Sequence, residues 1–90
     1  ITTMARRNDE IAGELSDLYR RTRRHVADLL QAKQDEGVLR LADEPEAVAA
    51  ILFALGDGIA LQVLHAPDRV RELGKWVRAG VVCARALLGA

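Results

Sequence analysis

The chain has few of the residue types that build disulfide frameworks, metal centres and β-sheets. Its 90 residues include a single cysteine, Cys83, and two histidines, so they provide neither an internal disulfide nor the ligand spacing of a structural zinc site. Proline occurs twice, and no segment alternates apolar and polar residues for long, which argues against strands. We therefore expect an all-α domain, without metal or cofactor, in a reducing cytoplasm.

The chain also lacks an excess of charge of either sign. Thirteen basic residues balance thirteen acidic ones, whereas a domain that binds nucleic acid by itself usually carries a clear basic excess. The basic run Arg20–Arg24 could suggest contacts with a DNA backbone. However, Asp17 precedes Arg21 by four residues and Asp28 follows Arg24 by four, a pattern typical of a solvated helix face with ion pairs.

The first residues carry no initiator methionine and no targeting signal. We therefore expect a fragment of a longer protein, with residues 1–90 forming one domain.

Apolar residues at steps of three and four predict three helices. The first is expected to start near Asn8 or Asp9 and to stop at Gly37, the second to start around Pro45, and the third to follow a cap at Asp68. The first helix has a stripe that should be buried: Ile11, Leu15, Leu18, Thr22, Val26, Leu29 and Leu30. The third has a stripe of its own: Val70, Leu73, Val77, Val81, Ala84 and Leu88.

The second helix is apolar on nearly every side, since Asp57 and Gln62 are its polar side chains between Ala47 and Leu64. In a packing of three helices each helix normally keeps one side in water, so this helix needs further cover. A second copy of the chain would provide it, which predicts a homodimer. A pair of membrane helices could have a similar composition, but Asp57 at mid-span and the amphipathic neighbours argue against that alternative.

Two sets of candidate site residues follow from the helix faces and from the large aromatic residues. One set could offer apolar contacts and hydrogen bonds to a small molecule: Leu15, Leu18, Tyr19, Thr22, His25 and Phe53. The other set is assigned to the dimer interface: Ala50, Ala54, Asp57, Gly58, Leu61, Trp76, Gly80, Cys83 and Leu87. Asp57 could instead lie in a ligand pocket or act as a catalytic acid, but no second carboxylate accompanies it.

Three local patterns resemble the C-terminal domain of TetR-family transcriptional regulators, over the stretch from about Ala5 to Leu88. They are a helix stop at residues 34–39, a short polar link into the next helix at residues 43–47, and an Asp-Gly pair within an apolar helix at residues 55–62. The third pattern is the most specific of the three.

This resemblance implies that the last two helices pair with those of a second subunit in a four-helix bundle. The preceding helices would help enclose a cavity for a small-molecule effector whose identity the sequence does not give. The helix-turn-helix of that family has no counterpart in this sequence, so operator DNA would be bound through a missing N-terminal domain.

Two other classes of protein share these features. Dimeric all-helical enzymes of the chorismate mutase type have a similar length and a long basic first helix, whose arginines bind a dicarboxylate. Here the arginines lie mainly on the face opposite Leu15 and Leu18, so we expect no enzyme. A purely structural dimerisation module is the other alternative.

Overall fold

A computed structural model describes residues 2–90, with side chains from residue 3 onward, as three helices. They are α1 (Thr2–Asp35), α2 (Pro45–Leu64) and α3 (Arg69–Leu88). Residues 2–90 contain no strand. The predicted all-α class with three long helices is confirmed.

The start of α1 differs from the sequence-based expectation. Asn8 and Asp9 lie inside the helix, which already includes Thr2, so they cap nothing. Met4, Ala5 and the two arginines that follow are good helix formers, and they outweigh the capping preference of Asn8.

The predicted stop of α1 at Gly37 is confirmed. Gly37 has a φ of 80°, a conformation that favours glycine, and its N–H donates to the carbonyl of Gln34 at 3.0 Å. The N–H of Val38 donates to the carbonyl of Lys33 at 2.9 Å. This pair of bonds satisfies carbonyl groups of the last turn and turns the chain out of the helix.

The other helix ends also follow the sequence. Pro45 occupies the first turn of α2, where its missing N–H costs no hydrogen bond. Asp68 caps α3 by accepting from the N–H of Arg71 at 3.4 Å, and Gly89, with a φ of 65°, ends that helix.

The helices form one layer with α2 in the middle. Within the described part of the chain, α2 packs against both α1 and α3, whereas α1 and α3 do not contact each other. The molecule measures 53 × 36 × 14 Å, so its thickness is little more than the roughly 10–12 Å of one helix. The 34 residues of α1, about 51 Å long at 1.5 Å per residue, set the longest dimension.

A single layer of helices has almost no interior. Among the described side chains, Ala27, Val48 and Ala49 are buried, and they lie where α1 crosses α2. The expected burial of the whole α1 stripe is wrong for the single chain, because Ile11, Leu15 and Leu18 are each about half exposed. The shorter α2 packs against the C-terminal third of α1 and leaves residues 3–22 uncovered.

Candidate functional site

An apolar groove runs between α2 and α3 on one side of the layer. It is lined by Leu52, Leu55, Ile59, Val77, Gly80, Val81 and Ala84 and has a volume of about 210 Å³. Gly80 allows the two helices to approach closely, since a Cβ atom added there would lie 3.2 Å from Cδ1 of Ile59. We call this the α2/α3 groove, and no charged side chain lines it.

A second apolar surface lies on an exposed side of α2, next to the groove. Positions spaced by three and four residues form this outer face of α2: Ala47, Ile51, Ala54, Gly58 and Leu61. Ile51 is 50% exposed and Leu61 is 62% exposed. Large side chains of this kind at helical spacing form a patch that a soluble chain normally covers.

The nine residues assigned to the dimer interface divide into two groups. Ala54, Asp57, Leu61 and Cys83 are exposed, and each is available to a second chain. The others are half-buried because they also pack within the chain: Ala50, Gly58, Trp76, Gly80 and Leu87. Trp76 lines an open cleft at the turn between α2 and α3, together with Leu61, His65 and Glu72.

Asp57 is exposed in the single chain, although its helix is almost wholly apolar. Water solvates its carboxylate there, so within one chain the carboxylate needs no hydrogen-bond donor from the protein. It lies at the margin of the outer face of α2, where covering that face would bring it out of water. The cost of desolvation therefore arises only on assembly.

The candidate ligand-binding residues occupy an open part of α1. Leu15, Leu18, Tyr19, Thr22 and His25 are exposed, and Phe53 is half-buried on α2. The hydroxyl of Thr22 donates to the carbonyl of Leu18 at 2.8 Å, so its proton is engaged and its lone pairs stay available as acceptors. These residues can form one apolar wall with polar groups along it.

The basic run of α1 lies on a solvated face, as expected. Arg20, Arg21 and Arg24 are exposed, and Arg23 is half-buried. Arg20 pairs with Asp17, three residues before it, in place of the expected pairing at a distance of four. Asp17 and Glu14 lie close to Arg20, Arg21 and Arg24 on α1, so two negative charges offset most of the three positive ones.

Sequence reasoning missed the way in which the α1–α2 linker closes the end of α3. The N–H groups of Arg40 and Ala42 donate to the carbonyls of Leu88 and Leu87 at 3.0 and 2.9 Å. Gly89, directly after the last apolar residues of α3, is a sequence signal for a helix end. Nothing in the pattern shows which distant backbone would meet that end.

By length and composition alone, α2 could also cross a membrane. Core helices of soluble proteins meet the same criteria. The apolar composition of α2 therefore fits a helix that is covered by other protein as well as it fits a helix that crosses a membrane.

The structure is thus an all-helical domain with two exposed apolar surfaces, the α2/α3 groove and the outer face of α2. Comparison with known families makes this more specific. The family model of the BetI-type transcriptional repressor C-terminal domain matches residues 1–81, and the chain belongs to that family. No curated protein and no solved structure matches the chain in the corresponding searches. The match confirms the TetR-type resemblance and a role in transcription regulation, and it does not favour an enzyme of the chorismate mutase type.

Proposed function

We propose that this domain forms a homodimer through the α2/α3 groove and the outer face of α2, and that it responds to a small-molecule effector. In the regulator that carries it, the domain would control a helix-turn-helix that binds operator DNA. The regulator would act in the cytoplasm. The last two helices of each copy would form the four-helix bundle expected from the sequence.

The observation that carries the dimer is the excess surface of the single layer. Its accessible surface is 7051 Å², whereas a compact protein of 9.8 kDa exposes roughly 5,200 Å². The radius of gyration, 16.6 Å, likewise exceeds the roughly 12 Å of a compact chain of this length.

The area and chemistry of the excess surface support a partner of the same kind. A stable protein interface takes roughly 800 Å² from each partner, which is less than the excess of about 1,900 Å². The exposed apolar residues of α2 and α3 lie on adjoining faces, so two copies related by a twofold axis can cover each other's groove. Burial of apolar surface contributes about 25 cal/mol per Å², which favours such a pairing.

Effector sensing is supported by the uncovered stripe of α1. Leu15 and Leu18 are about half exposed beside Tyr19, Thr22 and His25, a mixture of apolar surface and hydrogen-bonding groups that suits a small amphipathic molecule. The stripe would form one wall of the cavity, and other helices of the regulator would complete it.

Two adjacent valines test the dimer. Val81 lines the α2/α3 groove, whereas Val82, 68% exposed, lies on another face of α3. We expect Val81→Glu to make the chain monomeric at concentrations where the wild type is dimeric, because the carboxylate would be buried in an apolar interface. Sedimentation equilibrium measures the mass, and circular dichroism checks that Val81→Glu and the control variant Val82→Glu stay helical.

The control, Val82→Glu, should keep the mass of the dimer. A wild-type chain that is monomeric at all accessible concentrations, or equal effects of the two substitutions, would overturn the proposed interface.

A further inference from the structure

The segment between α1 and α2 is bonded to the far end of α3. The carbonyls of Leu87 and Leu88 have no acceptor role within their own helix, since they belong to its last turn. They accept instead from the N–H groups of Ala42 and Arg40, at 2.9 and 3.0 Å. The linker of residues 39–42 thus caps the C-terminal end of α3, which lies more than forty positions later in the sequence.

The same linker is also bonded to α1. The N–H of Leu41, between the two donors just described, donates to Oε1 of Gln34 at 2.9 Å. Gln34 belongs to α1, and this hydrogen bond is partly buried. Three consecutive N–H groups of the linker therefore donate hydrogen bonds to α3, to α1 and again to α3.

Gly89 makes this arrangement possible. It has a φ of 65°, and a Cβ atom added there would overlap the carbonyl oxygen of Arg40 and lie 2.8 Å from the Cβ of Arg40. The linker backbone therefore lies directly against the end of α3. A side chain at this position would force the two apart.

These bonds are the direct link between α1 and α3, because the two helices do not contact each other within residues 2–90. We propose that linker 39–42 is a joint that couples α1 to α3, so that a displacement of α1 changes the position of α3 in the dimer. This inference rests on the proposed function, in which α1 contacts the effector and α3 contributes to the dimer. A displacement of α1 would thus be transmitted through linker 39–42 to α3.

The first test breaks the joint at α3. We expect Gly89→Ala to lower the hydrogen-exchange protection of the Arg40 and Ala42 amides by roughly tenfold or more, since both the overlap and the left-handed φ oppose the new side chain. Gly37→Ala is the matched control. It has the same left-handed φ, but no atom lies within 4 Å of the added Cβ, so protection of Arg40 and Ala42 should be retained.

The second test breaks the joint at α1. Gln34→Leu removes the acceptor of the Leu41 N–H, whereas Gln31→Leu makes the same change one turn earlier, where the side chain bonds to Asp35 on the exposed surface. Reciprocal coupling predicts that Gln34→Leu weakens dimerisation severalfold, although Gln34 lies on α1. Gln31→Leu should leave the dimer dissociation constant unchanged.

The outcomes separate this inference from the proposed function. A wild-type dimer whose dissociation constant is the same in Gly89→Ala and Gln34→Leu, despite lost amide protection, overturns the coupling and leaves the proposed function intact. A wild-type chain that never dimerises overturns the proposed function. In that case the exchange comparison of Gly89→Ala with Gly37→Ala still decides whether the joint exists.

Discussion

At the scale of single residues, Asp57 is the charge that would most constrain the proposed dimer. It is the one ionisable side chain between Ala47 and Leu64 and lies at the edge of the outer face of α2. In the single chain its side chain is exposed, so its charge carries no desolvation cost. When a partner covers that face, the carboxylate must accept hydrogen bonds from the partner, because an unpaired carboxylate would destabilise the dimer. Asp57 can therefore select one register of the dimer.

We predict that Asp57→Ala weakens the dimer by roughly tenfold or more, the effect of about 1.4 kcal/mol, because the variant loses the hydrogen bonds that the partner would donate to this carboxylate. The helical content should hardly change, since the side chain is exposed in each chain. Sedimentation equilibrium at several concentrations gives the dissociation constant.

Asp28→Ala, which removes an exposed acid of α1, is the control for charge alone. A dissociation constant that Asp57→Ala leaves unchanged, together with a lower affinity for an effector, would assign Asp57 to the ligand site and not to the interface.

Ala49 shows how the small core limits side-chain size. It is fully buried where α1 crosses α2, so we expect Ala49→Leu to reduce the free energy of unfolding by about 1–3 kcal/mol through overpacking. Ala60→Leu adds the same atoms at an exposed position of the same helix and should change the free energy of unfolding little. Urea unfolding at one fixed protein concentration compares them; equal losses would contradict the packing described for Ala49.

At the scale of helices, α1 and α2 have uncovered surfaces of different kinds. The outer face of α2 is nearly free of polar groups, which suits close packing against protein. The open stripe of α1 mixes leucines with Tyr19, Thr22 and His25, which suits a ligand that needs both apolar contact and hydrogen bonds. This difference is why we assign assembly to α2 and sensing to α1.

The proposed sensing role of α1 can be tested on a regulator that carries this domain. Small molecules that raise its melting temperature should bind on the order of tenfold more weakly to Tyr19→Ala, because an aromatic wall of the cavity is lost. Val38→Ala, an exposed apolar residue beyond the end of α1, is the control. Retained affinity in Tyr19→Ala would remove this part of α1 from the ligand site.

At the scale of the whole molecule, charge and shape both favour contacts with protein over contacts with nucleic acid. The balance of thirteen basic and thirteen acidic residues provides no net attraction to a polyanion, while the thin layer leaves apolar surface for protein. The domain is thus suited to protein contacts, and under the proposed function a separate DNA-binding domain would contact the operator.

We therefore predict that the chain by itself binds duplex DNA no better than the weakest nonspecific binders, with a dissociation constant of about 10⁻⁴ M or higher at physiological salt. Fluorescence anisotropy with a labelled duplex measures this, and Arg23→Ala should make no difference. Tighter binding that falls with salt and is lost on Arg23→Ala would show that the basic run of α1 contacts the phosphate backbone.

The local sequence determined the helices and most of their ends. Gly37, Pro45 and Asp68 act through their own backbone and side chain, so their positions alone predicted a stop, a start and a cap that the structure confirms. The first turns of α1 were not predicted, because helix propensity over residues 4–7 outweighed one capping residue. The family resemblance, read from three short patterns, was likewise available from sequence.

Tertiary structure alone decided which apolar faces are covered. Periodicity shows that Ile11, Leu15 and Leu18 share a face, but it does not show that α2 packs only against the C-terminal third of α1. Nor does it show that the linker meets the end of α3, because those hydrogen bonds join backbone groups far apart in the chain. Local patterns report what each residue favours along its own helix, whereas burial depends on the relative placement of helices, which is set by all contacts together.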